Sequence, residues 1–128
     1  MAVTVTNSTI AAFETVADVT SNAATANTDA LAEVFTITPT EPTSRLLVLI
    51  GGTGSLADGN ITAAFAAGDF WAGKAVSVTV TKNTEKVIQV ETAHVLQDDG
   101  TIALTLTPAA TDKLLTDHAA YVKVFELI

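Results

Sequence analysis

The chain has 128 residues, six basic against 14 acidic side chains, a formal net charge of −8 and no cysteine. The length fits one domain that buries about two thirds of its unfolded surface, enough for a core without covalent staples. The charge argues against nucleic acid and anionic lipid as partners, since both recruit clustered Lys and Arg. The missing thiol rules out disulfides, thiolate metal sites and cysteine nucleophiles.

Residues 1–30 read as an N-terminal arm followed by a polar connector. Val3, Thr4, Val5 and Thr6 form a β-prone stretch that stands apart from the later strand series. Two readings stay open: an edge strand of the same domain, or an extended arm that reaches a neighbouring chain and can be deleted without unfolding its own. The start has neither a cationic region nor an apolar stretch, so no signal peptide is readable. Residues 13–19 fit a strand or a helical turn equally well. Residues 21–29, Ser-Asn-Ala-Ala-Thr-Ala-Asn-Thr-Asp, have no apolar period and read as a loop. The first 44 residues contain five carboxylates and not one Lys or Arg.

Residues 31–128 form the domain proper, and the pattern there has a period of two. Phe35 and Ile37 alternate with Val34 and Thr36, and a turn follows at 39–44. Residues 46–50, Leu-Leu-Val-Leu-Ile, are a wholly apolar strand of the kind found at a sandwich centre. Five residues cannot cross a bilayer, which demands about 20 in a helix. Glycine-rich breakers at 51–54 and 57–60 bound the next strand at 61–65. Residues 75–81 place Val76, Val78 and Val80 on one face, and 86–92 read as the hairpin partner. Residues 94–97 and 101–107 read as a second hairpin, turned by Asp98-Asp99-Gly100. Residues 108–117 fit a helical turn or a loop, and 119–128 alternate again. The spacing predicts an all-β fold: an antiparallel β-sandwich or jelly roll of about eight strands with an extended N-terminal arm.

No catalytic, cofactor-binding or metal-binding constellation emerges. His94 and His118 are the only histidines and lack metal-ligand spacing. Ser55 misses the nucleophile-elbow pattern, and the glycines at 51–54 lack the Lys of a phosphate loop. Asp98 and Asp99 lack the alternate spacing and distal Glu of a calcium loop. The chain reads as a non-enzyme. Its most informative local feature is Phe70-Trp71, flanked by Gly68 and Gly73 and containing the only Trp. Trp71 either plugs the end of the sandwich or anchors a subunit interface. With Val3, Thr4, Val5 and Thr6, these two aromatics are the candidate interface residues.

Charged residues make up only 16% of the chain, against about 25% in an average soluble domain. Mean hydropathy is +0.43. So little charge leaves surface suited to protein neighbours.

An ordered series of features resembles the capsid decoration, or cement, proteins of tailed bacteriophages. It runs from the aliphatic strand 46–50 through a Gly-rich turn to Ala67-Gly68-Asp69-Phe70-Trp71-Ala72-Gly73. The Val-x-Val-x-Val strand at 76–80, the segment 91–102 and the terminal strand 122–128 complete it. The resemblance covers about 80 residues. It implies a structural protein on the outer surface of the virion, made in the host bacterial cytoplasm and stabilising the shell at capsomer junctions. The implied partners are the major capsid protein and further copies of the chain, as a dimer or trimer. From the residues alone, a self-assembling fibre, tail or surface-layer subunit and a small glycan-binding sandwich stay open. Five per cent aromatics supplies a glycan platform only thinly.

Overall fold

The computed structural model describes residues 2–11, 14, 16–25, 32–52, 60–81, 84–108, 115 and 119–127. Within them the chain forms an all-β sandwich of ten strands and one helical turn. The strands are β1 (Ala2–Thr4), β2 (Asn7–Ile10), β3 (Asn22–Ala23), β4 (Glu33–Ile37), β5 (Arg45–Gly52), β6 (Ile61–Phe65), β7 (Val76–Val80), β8 (Glu85–Glu91), β9 (Ile102–Pro108) and β10 (Ala120–Leu127). The helical turn, α1 (Thr92–Val95), follows β8 directly. One sheet, here sheet A, has the order β1-β4-β9-β6-β7; sheet B runs β2-β10-β5-β8, with β3 also pairing β10.

Period-two alternation builds the core. Phe35 and Ile37 on β4, Leu46, Val48 and Ile50 on β5, and Ile102, Leu104 and Leu106 on β9 are fully buried. Their alternate neighbours face outward, because successive side chains of a strand point to opposite faces. Strand β10 follows the same rule, with Val122, Val124 and Glu126 inward. The apolar run 46–50 is therefore buried on one face only, and Leu47 and Leu49 remain half-buried.

Several expected pairings differ. Strands β7 and β8 do not form a hairpin: β7 pairs antiparallel with β6 in sheet A and β8 with β5 in sheet B. Their link carries the chain from one layer to the other, which lets both strands turn an apolar side toward the shared core. The 94–97 strand is also absent. Residues 92–95 form α1, and only Gln97 and Thr101 close around the Asp98-Asp99-Gly100 turn, with Gly100 at φ +84°. The Leu96 amide donates to the Thr92 carbonyl at 2.9 Å and Thr92 Oγ1 to the buried Ser44 carbonyl at 2.6 Å, so the chain coils at 92–95 instead of extending. Gly51 and Gly52 prolong β5 rather than breaking it. Of the 108–117 stretch, Pro108 ends β9 and Leu115 is buried; the remainder lies outside the described residues.

The N-terminal arm resolves to the edge-strand reading. Strand β1 lies parallel to β4 and β2 parallel to β10, so both sheets are mixed rather than purely antiparallel. Parallel neighbours require a long connection: residues 5–32 lie between β1 and β4 in the chain, and residues 11–119 between β2 and β10. Val5, between the two strands, is 8% exposed and belongs to the core of its own chain. The connector is partly built in as well. Asn22 accepts from Thr6 N–H at 2.9 Å and donates to the Val122 carbonyl at 2.9 Å, tying the arm to β10.

Glu126 closes this corner. Its side chain is buried on the apolar side of β10, where an unpaired carboxylate would cost several kcal/mol. It accepts from the Thr40 amide, from Thr40 Oγ1 at 3.1 Å and from Asn7 Nδ2 at 3.3 Å. Burial opposes ionisation, but these donors and the Ser44 hydroxyl buried beside the group outweigh it and hold the carboxyl below its ordinary value of 4.5. A carboxylate with a lowered folded pKa stabilises above its unfolded pKa and loses that contribution as pH falls through the folded value. Glu126→Gln should therefore destabilise the domain by about 1–3 kcal/mol at neutral pH. Urea titrations should show the gap constant above pH 4.5 and narrowing on acidification below it. Deleting residues 1–10 should lower the melting temperature, because it uncovers the core around Val5 and removes the Asn7 donor; an unchanged melt would refute the integral role of the arm.

Candidate interaction site

Phe70 and Trp71 lie in segment 66–75, which leaves β6 at Phe65 and enters β7 at Val76. Its glycines and alanines disfavour a regular strand, and the segment instead lies along α1 and the 96–101 turn. Gly68 N–H and Lys74 N–H both donate to the His94 carbonyl, at 2.9 and 2.7 Å. Asp69 N–H donates to the Leu96 carbonyl at 3.1 Å. Side chains reinforce the contact: Gln97 Nε2 donates to the Ala67 carbonyl at 3.0 Å, and Asp98 N–H to Asp69 Oδ2 at 2.9 Å. The facing turn is itself fixed, since Asp99 Oδ1 accepts from both the amide and the hydroxyl of Thr101. Those bonds hold the Asp99 carboxyl below its ordinary value.

Gly73 N–H donates to the Phe70 carbonyl at 2.8 Å, closing a four-residue turn with Trp71 and Ala72 at its tip. The turn can sit this close only because two positions lack a side chain. A Cβ at Gly68 would lie 2.6 Å from the Leu96 carbonyl oxygen, and one at Gly73 would press on the Gly68 carbonyl. Trp71 projects from this support and is fully exposed, at 102% of its reference surface; Phe70 is 53% exposed. Trp71 therefore does not plug the sandwich. Val95 and Leu96, from α1 and the residue after it, are buried against the core instead.

The other candidate interface residues are elsewhere. Val3, Thr4, Val5 and Thr6 run along and just past β1, at the edge of sheet A opposite β7. The fold does not bring them to the Trp71 turn. His94 Nε2 lies 3.5 Å from Glu91 Oε2, and His118 is outside the described residues. Among the described residues, no three His, Cys, Asp or Glu side chains gather to hold a metal ion. An open hollow of about 760 Å³ lies on sheet B beside α1, lined by Pro42, Ser44, Arg45, Gln89, Glu91 and Thr92 among others. Arg45 and Glu91 are the ionisable groups in its wall.

Sequence reasoning located the aromatic pair but not its setting. The glycine flanks were the available signal, because glycine marks close backbone approach as well as loop freedom. The carbonyl that Gly68 approaches, that of Leu96, comes from 28 residues further along the chain. No protein-family model, curated protein or solved structure matches the chain. The site therefore rests on its geometry.

Gly73→Ala should cost about 1–3 kcal/mol by overpacking the turn, whereas Trp71→Ala should change stability by less than about 0.5 kcal/mol. Urea denaturation of the two variants compares them directly. Equal midpoints would show that the turn is not held as described.

Proposed function

We propose that the chain is a non-catalytic structural subunit that docks on a protein surface through the Trp71 turn. The observation that carries this reading is a fully exposed Trp on a turn held by backbone hydrogen bonds and two sterically required glycines. An indole presented this way keeps its large contact area and loses little entropy on binding, because its support is already ordered. Trp is also among the residues enriched at the energetic centres of protein interfaces.

The finer proposal is decoration of the outer surface of a bacteriophage capsid, at junctions between capsomers, with the major capsid protein as partner. Its support is the ordered series from residue 46 to the C-terminus that resembles phage cement proteins, together with the sandwich architecture that resemblance implies. Acidity agrees with a partner other than packaged nucleic acid, since a charge of −8 repels phosphate. In this reading the chain is made in the host bacterial cytoplasm and ends on the virion exterior.

Co-sedimentation with expanded, undecorated heads of the phage that encodes the chain is the test. The wild-type chain should saturate the heads. Trp71→Ala should weaken binding by about 2 kcal/mol or more, roughly thirtyfold in Kd. Absence of wild-type binding would overturn capsid decoration, and undiminished binding by Trp71→Ala would overturn the role of the turn. A change in Trp71 fluorescence on adding oligosaccharides, without head binding, would favour a glycan-binding module instead.

A further inference from the structure

The two sheets end at β1 and β7 and at β2 and β8, and all but one of these margins carry a device against further strand pairing. Strands β1 and β2 are only three and four residues long, and Val5 between them packs into the core. Strand β8 carries a charge on its inward side. Lys86 is the register partner of the fully buried Ile50, so it lies on the core side of sheet B, yet it is exposed at the margin. An inward charge there keeps another strand from extending the sheet.

Strand β7 has no such device. Val76-Ser77-Val78-Thr79-Val80 is a regular strand without charge, glycine or proline. Among the described residues it pairs only with β6, and no loop amide or carbonyl bonds to 76–80. Alternate residues therefore direct their N–H and C=O groups away from β6, toward the open margin. The core is incomplete along the same line. Val76 and Val78 are the register partners of Phe65 and Ala63, which are buried. They pack against that core but remain half-buried themselves. A further strand with an inward apolar face would cover them.

Position adds to pattern. Gly73 closes the Trp71 turn, and β7 begins at Val76. At most about 18 Å of extended chain separates Trp71 from Val76, so a surface that seats the indole also lies beside the open edge. We propose that β7 accepts an added strand: an extended segment of the same protein on which the Trp71 turn docks, with apolar side chains at alternate positions. Backbone hydrogen bonds to β7 supply affinity, and cover over Val76 and Val78 supplies selectivity for the alternation. The inference rests on the docking reading for its partner and on the edge itself for its mode.

Amide hydrogen exchange, read by mass spectrometry with and without undecorated heads, tests the added strand. In the free chain the outward amides of 76–80 should exchange freely, and on the heads they should slow by at least about tenfold. Val78→Lys copies onto β7 the inward charge of β8 and should weaken head binding at least about tenfold in Kd. Val78→Thr keeps the shape without the charge and should weaken it less. Thermal melts check that both variants fold; at a half-buried position the Lys amine can reach water. If Val78→Lys fails to fold, the exchange result decides alone. Heads bound through Trp71 with 76–80 still exchanging freely, or undiminished binding by folded Val78→Lys, would overturn strand addition and leave the docking reading standing. Protection of 76–80 that rises with chain concentration in the absence of heads would overturn it in favour of a second copy. No binding by the wild-type chain would remove the docking reading and this partner with it.

Discussion

A buried carboxylate organises the end of this molecule. Glu126 points inward from β10 among aliphatic side chains, and burial alone would drive it to protonate or to escape. Donors from two separated parts of the chain keep it ionised: Asn7 on the arm and Thr40 in the β4–β5 turn. Satisfying one acceptor thus requires the arm, the turn and the last strand to be in place together. Such a requirement makes that corner of the fold cooperative, because removing any donor leaves a charged group short of partners.

The same end of the sandwich displays the Trp71 turn, and its rigidity comes from a different source. Few aliphatic contacts are available to a segment made largely of Ala and Gly. Order comes from backbone amides aimed at the carbonyls of His94 and Leu96, with glycine where the chains approach most closely. A large aromatic side chain is held out in water, where it contributes almost nothing to the stability of its own domain and leaves its full area uncovered.

A second asymmetry lies across the sandwich. Sheet A turns outward small residues that water and threonine hydroxyls satisfy. Sheet B turns outward Leu47, Leu49, Val87 and Phe125. The uncharged surface thus includes one aliphatic patch on sheet B and one aromatic tip at Trp71.

The strands with strict alternation were legible from the residues themselves. Phe35 and Ile37, Ile102, Leu104 and Leu106, and the terminal strand show a period that one buried face imposes locally. The Asp98-Asp99-Gly100 turn was legible too, since positive φ is a property of a single position. The aromatic pair was visible as an anomaly, though its exposure was not. Only the tertiary structure decided which strands pair, that the arm joins its own sheets in parallel, and that Trp71 stands outside the core. Each of these depends on partners distant in the chain: Thr36 for Val5, Val122 for Asn22, Leu96 for Gly68. A local pattern specifies which side of a strand seeks apolar cover. It leaves open which neighbour supplies that cover, because period two is satisfied equally well by any strand that offers an apolar face.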